Sequence, residues 1–348
     1  MNTQLLPATE DSLALAARLL ADGQLVAFPT ETVYGLGAHA MDAQAVLGIF
    51  AAKGRPGDNP LIVHIHDRSQ LEDICEVNEN ALRLMDAFWP GPLTIILPRK
   101  NAVPYAVTAN LETVAVRMPS HPVALAMLQR CGLPIAAPSA NRSGKPSPTT
   151  AQHVLADMDG RIPLILDGGE SDVGLESTVL SLVSERPCIL RPGGITQSML
   201  EAVVGPVDLA GSILRPLEKG EKALSPGMMY KHYSPDGQVT LIEGAENDVV
   251  EALRRLYAHA AGEGHRACVM CFTEHVNALA DCAPHDIGHR NDPAEVAHRL
   301  FDTLRRLDDE KMDVIFSEVV PPEGVGLAVM NRLGRAAAFR TVQAENVI

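Results

Sequence analysis

The chain predicts an α/β protein in two parts: an open, twisted, mixed-sheet N-terminal domain and a smaller C-terminal Rossmann-like α/β domain. Three observations carry that expectation. Apolar runs of strand length recur throughout, and helical patterns separate only some of those in the first two hundred residues. In the last hundred, strands alternate regularly with helices. The length, 348 residues, also exceeds what one core usually holds, since single cores rarely grow past ~250–300 residues.

The elements follow in order. Asp11 to Ala21 repeats apolar residues at helical spacing, and Gly23 supplies the stop. LVAF (25–28) is a short strand ended by Pro29. Asp42 caps a second helix that runs to Ala52. LIVHI (61–65), TIIL (94–97), VAVRM (114–118), PIAA (134–137), LILD (164–167), STVLSL (177–182) and CILR (188–191) read as further strands. From 205 to 236 the pattern dissolves into Pro, Gly and scattered charge, the composition of a linker. QVTLIE, a helix from Asn247 to about Ala261, RACVMCF, a short helix, HDIGH, a helix from Pro293 to Leu307, DVIFSEV and an Ala-rich helix complete the chain. Such alternation predicts a parallel sheet. The expected divisions are 5–204, a linker at 205–236, and 237–348.

Composition narrows the function. Aromatics make up only 4%, which disfavours base-stacking platforms for single strands. A net charge of −14 argues against a protein that coats nucleic acid. Residues 1–205 hold 14 Lys+Arg against 21 Asp+Glu, and six of those cations (Lys53, Arg55, Arg117, Arg142, Lys145, Arg191) lie in motif-like stretches. Cations gathered at a few loops of an acidic domain suit an anion site. Apolar runs fall well short of the ~20 residues that span a bilayer. The N-terminus lacks the basic-then-apolar layout of a signal peptide. Six sparse, irregularly spaced cysteines fit reduced thiols, so a cytoplasmic protein with no membrane association is expected.

Two stretches carry most of the chemistry. KGRPGDNPL (53–61) and SANRSGKPSPT (139–149) each place two polar groups at i, i+2: Lys53 with Arg55, and Ser139 with Asn141. In an extended backbone such pairs share a face. A cation pair and a hydroxyl/amide pair suit a polyphosphate and its reaction partner.

PTETVYGLGA (29–38) follows a strand and reads as a small-ligand loop. Its glycines begin six residues past LVAF, too late for a dinucleotide turn. Gly144-Lys145 is followed by Pro146, which lacks the N–H a phosphate loop needs. Cys268 and Cys271 suggest zinc, yet i and i+3 of a strand face opposite sides, so buried structural cysteines are expected. Arg117, among apolar neighbours in VAVRMP, needs a carboxylate or phosphate partner. Either an internal salt bridge or a bidentate clamp on a ligand carboxylate meets that need.

Taken in order, PTETVYGLG, KGRPGDNPL, WPGPLT, VAVRMP, APSANRSGKPSPT, DGG…GLESTV and LRPGGIT resemble the threonylcarbamoyl-AMP synthase family. SPGMMYKHYSP resembles the linker of its long, two-domain members. The resemblance implies a YrdC-like catalytic domain over about residues 5–204. It implies formation of L-threonylcarbamoyladenylate and pyrophosphate from L-threonine, bicarbonate or CO2, and ATP. Mg2+ would be held mainly by ATP rather than by protein side chains. A downstream transferase complex would pass the group to tRNA, which this chain meets only indirectly. Threonine would be held by Thr32, His64, Arg117, Ala137 and Ser177. ATP would be held by Arg55, Asn59, Thr113, Ser139, Ser147, Arg191 and the linker residue Tyr233. Lys53, Arg55, Ser139 and Asn141 would form the catalytic set. Competing readings are an RNA-binding module and a carbamoyl-transfer enzyme on a related domain.

Overall fold

The computed structural model describes residues 2–215 and 233–347. They fall into two compact units: 2–143 with 147–213, and 144–146 with 214–215 and 233–347. The first contains β1 (Gln4–Pro7), β2 (Val26–Phe28), β3 (Gly35–His39), β4 (Ile62–His64), β5 (Leu93–Pro98), β6 (Thr113–Arg117), β7 (Ile135–Ala137), β8 (Leu164–Asp167), β9 (Thr178–Ser181), β10 (Cys188–Arg191) and β11 (Asp208–Leu209). These pair in one mixed sheet, in the order β1-β8-β2-β3-β7-β4-β6-β5-β9-β10-β11.

Local chemistry explains the helices that back this sheet. The helix Glu10–Ala21 starts in a capping box, with Thr9 and Ser12 each bonding the other's backbone N–H. Asp42 accepts from the amides of Gln44 and Ala45 to open Ala43–Lys53. Leu13, Ala16 and Leu20 of the first helix join Ala124, Met127 and Leu128 of the helix Pro122–Cys131. Together they cover Val26, Phe28, Ile135, Ala137, Leu164 and Leu166. That apolar block anchors one half of a sheet face; the polar residues expected to act lie on the other half.

Three expectations need correction. GLGAH, read as part of a loop, is the strand β3, antiparallel to β2. Its glycines serve packing: a Cβ on Gly35 would lie 3.1 Å from the Phe28 ring, and one on Gly37 would lie 2.8 Å from Ile135. Lys53 and Arg55 do not form an extended pair. Lys53 ends a helix, and Gly54 follows with φ 63°, a left-handed cap that glycine adopts without a Cβ penalty. The expected linker also begins with structure, since β11 pairs with β10 and Gly211–Ile213 forms a 3-10 turn. Its residues 216–232, including most of SPGMMYKHYSP, lie outside the described residues.

The second unit contains β12 (Gln238–Glu243), β13 (Ala267–Cys271), β14 (Pro284–Asp286), β15 (Val314–Glu318) and β16 (Thr341–Gln343). All the pairings are parallel, in the order β14-β13-β15-β12-β16, as helices between strands require. Cys268 and Cys271 are both buried in β13, and only Cys271 shares the core cluster of Ala267 and Val269. The two thiols thus face opposite sides of the strand, and burial pushes each up to about 12. Among the described residues no helix is long and apolar enough to cross a membrane.

Candidate active site

Register decides which side chains meet. In the parallel pair β4–β6, Ile62 lies beside Ala115 and His64 beside Arg117. Ala137 lies beside Ile62, and Ile96 beside Ala115. Because alternate residues share a face, Thr113, Ala115, Arg117, Ile62, His64, Ala137, Thr94 and Ile96 all project from one side. Ile62, Ile96, Ala115, Val179 and Leu190 pack together there as an apolar floor. His64 and Arg117 mark one end of this floor. Thr113 marks the other, ~13 Å away along β6 at about 3.3 Å per residue.

The Arg117 end is densely bonded. Arg117 Nη2 lies 2.7 Å from Glu31 Oε1, and Nη1 donates to Thr32 Oγ1 at 2.9 Å. Burial raises the Glu31 carboxyl, but the charge and hydrogen bond of Arg117 outweigh it and hold the group below its usual range. The internal ion pair foreseen for a buried arginine is therefore present. It occupies only part of a guanidinium that has five N–H donors. His64 is also buried, and its Nδ1 lies 3.1 Å from the Ile62 carbonyl oxygen. A carbonyl only accepts, so Nδ1 carries the proton and Nε2 is an acceptor. Burial, reinforced by Arg117, pushes the imidazole down to about 3, and His64 is neutral at pH 7.

Ser177 and Arg191 join this end. The Ser177 hydroxyl lies 2.8 Å from Thr94 Oγ1, and Arg191 donates from Nε to Ser177 O at 3.1 Å and from Nη2 to Ser177 Oγ at 3.2 Å. A β-bulge makes this contact. Ile189 pairs with Leu180 but Arg191 pairs with Val179, so one extra residue turns Arg191 toward the Val179 face. Ser147 donates to Glu176, next to Ser177.

Toward the Thr113 end stand the other expected nucleotide residues. Asn59 is fully buried, and neither atom of its side-chain amide has a hydrogen-bond partner. Its backbone carbonyl accepts from Arg55 Nη2 at 3.1 Å. The Ser139 hydroxyl donates to Asn141 Oδ1 at 2.5 Å, so this i, i+2 pair does face one way. Lys53, from its helix end, donates to the Ser139 carbonyl and, at 2.6 Å, to that of Asn141. The lysine therefore braces the SAN segment. Tyr233 belongs to the second unit, where its ring stacks on Phe301 with centroids 5.2 Å apart.

Sequence reasoning missed three buried partners: Glu31, Thr94 and Glu176. A signal existed for the first. A buried arginine demands a carboxylate, and Glu31 is the acid of the PTET stretch.

Residues 18–193 match the family model of Sua5, YciO and YrdC, described as Telomere recombination. Residues 195–338 match the Threonylcarbamoyl-AMP synthase, C-terminal domain. The threonylcarbamoyl-AMP synthase of Bacillus subtilis is 49% identical over 98% of this chain and 97% of its own length. That of Pyrococcus abyssi is 44% identical over 96% of both. The crystal structure of P. abyssi Sua5 complexed with L-threonine superposes with a TM-score of 0.91, at 43% identity over 98% of each chain. With two domain models in sequence and full-length relatives at this identity, the chain belongs to the threonylcarbamoyl-AMP synthase family.

Proposed function

We propose that this site joins L-threonine, bicarbonate or CO2, and ATP into L-threonylcarbamoyladenylate, releasing pyrophosphate. The observation that carries the proposal is the buried polar cluster of His64, Arg117 and Arg191 on one sheet face with the loop residues Thr32 and Ser177 bonded to it, and the unpartnered Asn59 amide toward the other end. Buried polar groups cost stability unless each is hydrogen-bonded, and the Asn59 amide has no such partner, which suits a group kept for a ligand. The floor of Ile62, Ala115 and Ile96 between the ends would carry an apolar body.

Arg117, fixed by Glu31 and Thr32, offers its remaining N–H donors to the threonine carboxylate. Neutral His64 adds no second cation, and its Nε2 can accept from the amine or hydroxyl of the amino acid. The amine must be uncharged to attack the one-carbon substrate. A dry site that does not stabilise the ammonium favours that form. The carbamate oxygen then bonds to the α-phosphorus of ATP as the bond to pyrophosphate breaks. Arg191 and Arg55 would stabilise the charge that grows there, and Lys53, bonded to the Ser139 and Asn141 carbonyls, would hold that segment in position.

Mg2+ fits as a companion of ATP. Glu31 and Glu176 are engaged with Arg117 and Ser147, and among the described residues no group of three potential ligands stands ready as a cage. A metal held largely by substrate phosphates needs none, and it would supply charge neutralisation at the phosphates. By the resemblance, the adenylate then serves a cytoplasmic transferase complex that modifies tRNA.

The deciding experiment is pyrophosphate release with each substrate omitted in turn. The proposal expects release only with threonine, bicarbonate and Mg-ATP together; release that persists without threonine overturns it. Turnover of carbamoyl phosphate without ATP would favour the carbamoyl-transfer reading instead.

A further inference from the structure

The sheet of the second unit has its own place of the kind where ligands bind in open α/β folds. With the order β14-β13-β15-β12-β16, the chain leaves β12 toward β13 in one direction and leaves β15 toward β16 in the other. Right-handed crossovers therefore send the helices Glu246–Gly262 and Val325–Ala336 to opposite faces. The crevice between the carboxyl ends of β12 and β15 is a topological switch point, where open α/β sheets bind ligands. A cleft of about 500 Å3 lies there. It is lined by the residues that end or directly follow these strands, Glu243, Gly244, Val320 and Pro321, together with Met330, Phe339 and Arg290.

We propose that this cleft binds a nucleoside carrying at most one phosphate. Its walls supply the chemistry for each part. Phe339 is presented by an unusual turn: Ala338 and Phe339 both take left-handed backbone angles, φ 49° and 59°, which non-glycine residues adopt at a cost. The ring packs against Gly334, where a Cβ would lie in van der Waals contact with it at 3.5 Å. An aromatic face beside Val320, Pro321 and Met330 suits a planar base. Glu243 Oε2 accepts from Gln343 at 2.8 Å, which steadies the carboxylate and leaves Oε1 to accept from sugar hydroxyls.

Arg290 provides one cation, with Glu246 Oε2 at 4.0 Å and Glu274 accepting from its backbone amide. Glu246 beside the guanidinium, Glu274 on the Arg290 backbone amide and Glu243 in the cleft wall make the surroundings acidic, which tolerates a single phosphate and repels a triphosphate.

The test uses the full chain, adenosine and AMP as titrants, and an azido-adenosine photolabel mapped by peptide sequencing. Label is expected on residues 319–341. Thr341, which lines the cleft, is exposed on a short edge strand, so Thr341→Trp fills the cleft without disturbing a core. Thr341→Trp and Glu243→Gln should each weaken adenosine binding at this site by about tenfold or more, with pyrophosphate release unchanged. Arg290→Ala should weaken AMP but not adenosine. Label confined to residues below 214, or adenosine binding unchanged in both Thr341→Trp and Glu243→Gln, overturns the proposal. Should Thr341→Trp lose pyrophosphate release, the photolabel and Glu243→Gln decide alone.

Discussion

Glu31 and Arg117 form an ion pair 2.7 Å long, with side chains 7% and 4% exposed. Glu31 follows β2 and Arg117 ends β6, so the pair ties two distant stretches of chain to one point. Two charges this deep are stable only together. Removing one leaves the other buried and alone. Glu31→Ala should therefore cost about 3–5 kcal/mol in urea denaturation. In whatever protein remains folded, the KM for threonine should rise more than the KM for ATP. Equal changes in both would show that Glu31 supports the fold without aiming Arg117.

His64 predicts an acid limb. In the fold its pKa is about 3, whereas in the unfolded chain it is ~6.5. Between those values the unfolded state binds more protons. Its contribution is thus fully present above pH ~6.5 and is lost as pH falls toward 3, by up to ~1.4 kcal/mol per pH unit. Denaturation across this range should show a shallower acid limb in His64→Gln than in the parent. Parallel limbs would mean that the folded imidazole takes up its proton normally.

Asn59 should trade stability for function. Its buried, unpartnered amide costs the empty protein about 1–3 kcal/mol. Asn59→Leu is similar in size and carries no polar atoms, so the melting temperature should rise while ATP binding by calorimetry weakens. A lower melting temperature would count against an unpaired amide.

Lys53 acts through backbone carbonyls. Lys53→Met keeps the stem and removes the donors to Ser139 O and Asn141 O. A loss of ~1.5–3 kcal/mol in stability is expected, the range for hydrogen bonds to a charged group. The KM for ATP should rise with it, because the Ser139 hydroxyl moves with its backbone. Unchanged stability would return Lys53 to the role of a simple phosphate-binding cation.

Arg191 depends on its fork. Arg191→Lys preserves charge but cannot hold Ser177 O and Ser177 Oγ together, so kcat should fall by ~10²–10³, as when one transition-state donor is lost. Steady-state pyrophosphate release measures this directly. Activity near the parent's would show that charge alone suffices.

Much of this protein is legible in its sequence because the relevant physics is local. Alternating apolar residues place strands such as β4, β6 and β12, and Asp42 caps its helix by a bond that spans three residues. The buried arginine in VAVRMP announces a partner, and the ordered motifs announce a family. Other features depend on pairings far apart along the chain. GLGAH contains two glycines and lacks strand propensity; it becomes β3 because β2 and β7 flank it and the Phe28 ring needs the missing Cβ atoms. Lys53-x-Arg55 looks extended beside Pro56, but the preceding helix carries through Lys53 and Gly54 turns the chain.

The sequence alone therefore determined the two α/β parts, the motif residues and the need of Arg117 for an acid. Tertiary structure decided that Glu31 is that acid, that a bulge aims Arg191 at Ser177, and that Lys53 braces the SAN segment. It also opened a cleft at the switch point of the second sheet. Propensity and capping act over a few residues, whereas register, bulges and buried ion pairs are fixed only when strands distant in sequence come to lie side by side.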